Sequence, residues 1–240
     1  MNTMDILGGS FLHRSAPEVF ALSTDSMLLG DFVRLSKDAQ VCDLGCGSGV
    51  LELLLCSKSK TCQITGLDLQ SAACALAAEN AARNDLSGRV HIIQGDLRDI
   101  RSLLPAGRFT HVVFNPPYFS SLNPAAPSPK RAEARSELCC TLSQLCSAAS
   151  WLLAYGGIVS LVYRPERLCD LICALRQEHL EPKRLQVVRH HPGAAASLIL
   201  LEGKYGGKPG LRLEPDLILY EADGRPTDAY LRIYHQKGEV

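Results

Sequence analysis

The 240-residue sequence predicts an α/β fold: a mainly parallel, seven-stranded sheet with helices on both faces and an antiparallel hairpin at one edge. Three observations predict it. Short apolar runs alternate with longer amphipathic stretches, the pattern of βαβ units. A glycine-rich turn, Asp43-Leu44-Gly45-Cys46-Gly47-Ser48-Gly49, joins the first apolar run to a helix. The last two runs are linked only by His190 to Ala196, with Pro192 and Gly193, too short for a helical crossover and suited to a hairpin.

Taken in order, the first strand is expected over Val41 to Leu44 and its helix over Val50 to Ser57. The second strand runs from Gln63 to Leu69. Ser71 then opens SAACALAAENAARND, whose alanines give it the highest helix propensity in the chain. Further strands are expected over Val90 to Gln94, His111 to Phe114 and Ile158 to Tyr163, with helices over Leu97 to Leu104, Ser136 to Ala154 and Pro165 to His179. Pro165 stands in the first turn of its helix, where a missing N–H costs nothing. Leu185 to Arg189 and Ser197 to Glu202 complete the set. The one long connection, SSLNPAAPSPKRAEAR from Ser120 to Arg135, is rich in proline and small residues and carries a basic cluster; loops of that length tend to be functional or disordered.

A chain of this length suits one domain, residues 1–240, with a lead-in over 1–38, a core over 39–206 and an extension over 207–240. Its 46% hydrophobic and 21% charged residues, with a mean hydropathy of +0.03, describe a folded soluble protein. No apolar stretch is long enough to span a bilayer, and the N-terminus lacks the features of a secretory signal, so no membrane partner and a cytoplasmic location are expected. Ten cysteines without a CxxC pair read as reduced thiols, and no histidine spacing completes a metal site. The oligomeric state is left open between monomer and weak dimer. A net charge of zero argues against bulk electrostatic coating of nucleic acid. Locally, five basic residues (Lys183, Arg184, Arg189, Lys204, Lys208) face one acid, Glu202, between Lys183 and Lys208, either a solvated face or a phosphate-contacting surface.

The glycines after Asp43 permit a tight turn and close backbone approach to a ligand. Their GxGxG spacing is not the GxGxxG of dinucleotide folds, and no Lys-Ser/Thr follows as a P-loop requires. Asp68 ends the second strand, 25 residues after Asp43, where a carboxylate can accept hydrogen bonds from ribose hydroxyls; Asp96 ends the third, placed to meet an adenine edge. Asp68 alone is compatible with NAD. A negative charge at Asp43 suits a sulfonium and an amino group better than pyrophosphate, which favours S-adenosyl-L-methionine (SAM). The cofactor-binding candidates are Asp43, Leu44, Gly45, Gly47, Gly49, Asp68, Leu69, Asp96, Leu97 and Asn115.

At the fourth strand end stands Asn115-Pro116-Pro117-Tyr118, the catalytic candidate. Prolines cannot continue a sheet ladder. The corner suits methylation of a planar, conjugated amine, whose delocalised lone pair makes it a poor nucleophile. Two acceptors, the Asn115 side-chain oxygen and the Pro116 carbonyl, would take its two N–H bonds and aim the lone pair, which is catalysis by position and electrostatics. The prolines stiffen the corner, and Tyr118 offers a stacking face.

Together, DLGCGSG, GLDL, GDL and NPPY resemble the class I SAM-dependent methyltransferases that modify planar amino groups, which implies their Rossmann-like fold, over roughly Val41 to Tyr163. The lead-in LSTDSMLLGDFV, the long loop with Arg131 and Arg135, and the ending AYLRIY resemble more narrowly the bacterial tRNA methyltransferases that act on adenine 37 of a valine tRNA. That resemblance implies that Thr24 and Asp25 form part of the pocket roof, adding them to the cofactor-binding candidates, and that a tRNA is the partner; Arg131 and Arg135 of the long loop, with Lys183 and Arg184 from the basic stretch, are the candidate RNA contacts. Protein-glutamine methyltransferases of the release-factor type and ribosomal RNA guanine N2-methyltransferases share the corner. The former carry a helical domain before the glycine loop, for which the roughly 40 residues here leave no room. A SAM- or RNA-binding regulator without turnover has no need of the acceptor geometry.

Overall fold

The computed structural model describes the backbone of residues 2–6 together with residues 11–15, 19, 23–116 and 141–234. A hairpin of β1 (Asn2–Ile6) and β2 (Phe11–Ser15) stands apart from the main sheet. Helix α1 (Thr24–Phe32) follows, capped at its start by the Ser23 hydroxyl. At its end Lys58 closes the free carbonyls, donating from Nζ to Gly30, Asp31 and Val33 at 2.8, 2.7 and 2.6 Å, where a cation also complements the helix dipole.

The alternation then proceeds as expected: β3 (Gln40–Leu44), α2 (Val50–Lys58), β4 (Gln63–Asp68), α3 (Ser71–Arg83), β5 (Val90–Gln94), a 3-10 turn (Leu97–Asp99) leading into α4 (Ile100–Leu103), and β6 (Phe109–Phe114). After residue 140 come α5 (Leu142–Leu152), β7 (Leu153–Tyr163), α6 (Leu168–Gln177), β8 (Leu180–Arg189), β9 (Ala196–Tyr205), the two-residue strands β10 (Arg212–Leu213) and β11 (Leu217–Ile218), and α7 (Asp228–Ile233).

Across the main sheet the order is β10-β8-β9-β7-β6-β3-β4-β5, with β11 also on β8. Strands β3 to β7 are mutually parallel, and β9 runs antiparallel to both β7 and β8. All seven expected strands are present. The tail adds β10 and β11, so the sheet has nine, because two-residue pieces flanked by Gly210 and Pro215 leave no periodic signal. Strand β8 starts at Leu180 rather than Leu185: Pro182 reads as a strand breaker, and the β8–β9 register shifts beside it. Strand β7 starts at Leu153, inside the expected helix, and its pairing with β6 is irregular between Phe109 and His111.

Alternation along β3 sorts the two cores. Val41 packs with Leu28, Leu29, Leu53 and Leu55 under α1 and α2, while Cys42 and Leu44 face Leu145, Leu152, Leu171 and Leu175 under α5 and α6. Burying each such leucine stabilises by roughly 2 kcal/mol, which is why both faces of the central strands are apolar. The chain runs from β3 outward to β4 and β5, then returns to β6 on the other side of β3. That reversal opens a crevice at the carboxyl ends of β3 and β6, where open α/β sheets bind ligands.

Candidate functional site

The glycine loop lies at the carboxyl end of β3. Gly45, Gly47 and Gly49 have φ of 87°, 54° and 81°, a left-handed region that side chains disfavour. The Gly45 and Cys46 amides donate to the Leu67 carbonyl at 2.8 and 3.1 Å, and the Gly47 amide donates to Asp68 Oδ2 at 2.9 Å, so the loop is tied to the end of β4. Gly49 lies against α3: a Cβ there would stand 3.1 Å from Ala77 Cα. Asp68 is half-buried and its Oδ1 accepts from the Gln70 amide at 2.9 Å, which leaves lone pairs on both oxygens for a ligand. Beside it Leu69 is 40% exposed, an apolar surface at the strand end.

Asp96 caps the 3-10 turn by accepting from the Arg98 amide at 2.8 Å, and the Arg98 side chain holds its carboxyl below the usual range. Leu97 next to it is half-buried. Asp43, in contrast, is 1% exposed, and Glu52 on the first turn of α2 is equally buried. Burial and the neighbouring acids Glu52 and Asp68 push Asp43 well above the ordinary carboxylate range, and burial pushes Glu52 up to about 8. Neither composition nor spacing marked Glu52, which reads as one polar residue in the apolar run VLELLL.

On the acceptor side, Asn115 leaves β6 half-buried and its Nδ2 donates to Ser26 Oγ at 3.0 Å and Ser23 Oγ at 3.5 Å. The two serines at the start of α1 therefore orient the amide, with Oδ1 as its accepting end. Thr24 and Asp25 lie in the same turn, and Tyr234 at the end of α7 hydrogen-bonds to Thr24, which brings the tail to the site. Pro116 is buried; Pro117, Tyr118, Arg131 and Arg135 lie outside the described residues. Ser23 and Ser26 escaped the sequence reading, although a serine before the apolar run of α1 is an N-cap signal.

Also unforeseen is the docking of β2 on α3. The Asn80 amide takes both sides of the Arg14 peptide, Oδ1 accepting at 2.8 Å and Nδ2 donating at 3.0 Å, and also donates to the Ser48 carbonyl at 2.8 Å. Asn84 does the same for Leu12 at 2.8 Å each way. Between them His13 points inward, fully buried, with Nε2 2.9 Å from the Ser48 hydroxyl in the glycine loop.

Residues 14–168 match the methyltransferase small domain. The chain belongs to that family. It is 32% identical, over 76% of each chain, to a protein of Photobacterium profundum named tRNA1(Val) (adenine(37)-N6)-methyltransferase. Its fold is similar to that of a predicted O-methyltransferase, protein Atu636 from Agrobacterium tumefaciens (TM-score 0.72, 21% identity, 88% of this chain and 96% of that one). It is also similar to geranyl diphosphate C-methyltransferase from Streptomyces coelicolor A3(2) in complex with Mg2+, geranyl diphosphate and S-adenosyl-L-homocysteine (TM-score 0.56, 12% identity, 75% and 79% covered).

As a member of the methyltransferase small-domain family the protein is a SAM-dependent methyltransferase. The residues present fit that cofactor. A cation-bearing ligand would find Asp68 at the strand end and, behind it, the carboxylates of Asp43 and Glu52, whose four oxygens are buried with no partner from another residue. Asp68 has oxygens to spare for hydroxyls, and Leu69 and Leu97 offer apolar contact. Among the described residues no group of three or more histidine, cysteine, aspartate or glutamate side chains could hold a metal ion, and no helix is long and apolar enough to cross a membrane.

In the basic stretch from Lys183 to Lys208 the two arginines are taken up by partners within the chain, while Lys204 and Lys208 are exposed. Arg184 is 5% exposed; its Nη2 donates to Glu202 Oε2 at 2.8 Å and to the Phe32 carbonyl at 2.7 Å, and its guanidinium lies 3.6 Å from the Phe32 ring centroid. Arg184 is a core residue closed by Glu202 and Phe32, which corrects its expected place on a phosphate-facing surface. Arg189 pairs with Asp216. Lys183 donates to the Lys208 carbonyl at 3.1 Å and keeps donors free for an outside partner.

Proposed function

We propose that the protein transfers a methyl group from SAM to the exocyclic N6 of adenine in a tRNA, at position 37 of a valine tRNA. SAM supplies the electrophilic methyl group. The observation that carries the reading is the held amide of Asn115: with Nδ2 fixed by Ser23 and Ser26, Oδ1 is the end that meets an acceptor N–H. The Pro116 carbonyl would take the second N–H, which points the nitrogen lone pair away from both acceptors and toward the crevice between β3 and β6. No strong base is needed, because the chain supplies orientation and a complementary electrostatic field.

Three further features support a nucleic-acid substrate carrying a planar amine. Relatives about 30% identical over most of the chain are named for adenine 37 of a valine tRNA. The start of α1 reaches Asn115 through Ser23 and Ser26, and Thr24 and Asp25 in that turn would roof the acceptor corner. Tyr118 would stack on the splayed base, with Arg131, Arg135 and Lys183 on the flanking phosphates. An unpaired loop nucleotide needs little unstacking to reach such a pocket. The tRNA setting makes the cytoplasm the working compartment.

Nucleoside mass spectrometry of RNA from cells with and without the gene tests this. Loss of N6-methyladenosine from one tRNA is expected; intact RNA modification together with an unmethylated protein glutamine selects the release-factor chemistry instead. Asn115→Ala should lower turnover at saturating SAM on the order of 100-fold. Full activity in that variant removes Asn115 from the mechanism.

A further inference from the structure

Glu52 sits where nothing in the acceptor chemistry requires it. Its Oε1 lies over Gly66, where an added Cβ would come within 2.5 Å. Gly66 is the β4 register partner of Asp43 on β3, and paired strands stand roughly 4.8 Å apart, so the two carboxyl groups are neighbours on one face of the sheet. They bracket the glycine loop, Asp43 just before it in β3 and Glu52 in the first turn of the helix it opens. None of their four oxygens receives a hydrogen bond from another residue. Two buried like charges at that separation cannot both persist without a counter-charge.

We propose that Asp43 and Glu52 hold one proton between them while the cofactor is away and release it when the positive charge of SAM arrives, so that Glu52 tunes the choice between SAM and its uncharged-sulfur product, S-adenosyl-L-homocysteine. The titratable groups near the pair are acids and thiols: Asp68 at the end of β4 and Cys46 in the loop on the same side, with Cys42 next to Asp43 on β3 but pointing to the other face. No basic side chain is among the groups that shift either carboxyl. Burial, followed by the neighbouring acids, keeps the thiols of Cys42 and Cys46 protonated. The cation missing from this cluster is therefore the one the cofactor brings. The proton leaves to solvent and returns when the neutral-sulfur product replaces SAM. This behaviour is independent of which amine accepts the methyl group.

Isothermal titration of the wild-type protein with SAM and with S-adenosyl-L-homocysteine, at pH 7.5 in two buffers of different ionisation enthalpy, reads the proton directly. The sulfonium charge lowers the α-amino pKa of SAM below that of the product, so the ligands' own protons are subtracted by titrating Glu52→Gln with the same two ligands. After that subtraction, SAM binding to the wild type is expected to release roughly 0.5 to 1 proton more than binding of the product. By linkage, the affinity ratio of SAM to product should then rise roughly tenfold between pH 6 and pH 8. Glu52→Gln should show only the proton release that the ligands' own groups account for, and a flatter ratio; if that variant does not fold, Glu52→Leu removes the charge and serves as the reference. A SAM-minus-product proton release that is the same in the wild type and in the Glu52 variant overturns the proposal.

Discussion

Two ionisable pairs are buried on the face of the sheet that α1 and α2 cover, and they are handled in opposite ways. Arg184 and Glu202 are opposite in sign, joined at 2.8 Å, and the guanidinium is further closed by the Phe32 carbonyl and ring. Asp43 and Glu52 are like in sign and their oxygens have no partners. A charge whose partners all come from the chain is part of the core, and removing one member leaves the other uncompensated. A buried carboxylate pair without a partner beneath a ligand crevice is held protonated until a ligand's positive charge arrives. The difference separates structure from function more sharply than the residue types do, since sequence reading assigned Arg184 to a surface and passed over Glu52.

The largest effect should come from breaking the closed pair. Arg184→Ala strands Glu202 and the Phe32 carbonyl, and is expected to cost about 3–5 kcal/mol in urea denaturation, with the SAM affinity of the folded fraction unchanged. A loss below 1 kcal/mol would dissolve the contrast between the two pairs. A loss of tRNA binding at unchanged stability would return Arg184 to the surface role.

A smaller and pH-dependent effect is expected from the open pair. In the folded chain Glu52 titrates at about 8, against 4.5 when exposed. Between those values the folded state keeps a proton that the unfolded state has lost. Stability from this group is therefore complete below pH 4.5 and declines as pH rises to about 8. Glu52→Gln should leave stability near pH 5 little changed and raise it at pH 8 by on the order of 3 kcal/mol, flattening the curve. Thermal melts from pH 5 to 8.5 measure this; a parallel offset at every pH would mean that Glu52 is not titrating in that window.

Most of the fold was legible because periodicity and glycine placement report on backbone geometry. The Gly45, Gly47 and Gly49 turn, the alanine-rich α3 and the Pro192-Gly193 hairpin link each carry their conformation in local residue types. Asn115 was legible for the same reason, since it ends an apolar strand. What sequence could not show depends on tertiary partners. Ser23 and Ser26 matter because α1 returns to β6, 89 residues away from Ser26. Arg184 is buried because Phe32, 152 residues distant, receives it. Strands β10 and β11 exist because the edge of β8 offers them a ladder, and their two residues apiece have no period of their own.

The smallest effect tests whether the β2 hairpin belongs with the closed or the open group. Asn84 is half-buried and closes the Leu12 peptide through two hydrogen bonds, with no link to the glycine loop. Asn80 and His13, one strand position further along, both reach Ser48. If the hairpin is structural at its outer end, Asn84→Ala should cost about 0.5–1.5 kcal/mol and raise the exchange rate of the Leu12 amide roughly tenfold, with cofactor affinity within twofold of wild type. The Ser48 contacts remain in that variant, so a large fall in SAM affinity would mean that hairpin docking as a whole sets the glycine loop. Asparagine amides closed by internal partners, beside a His13 ring whose Nδ1 has none, would then govern ligand binding, and unmet hydrogen-bonding capacity would no longer distinguish the functional pair from the structural one.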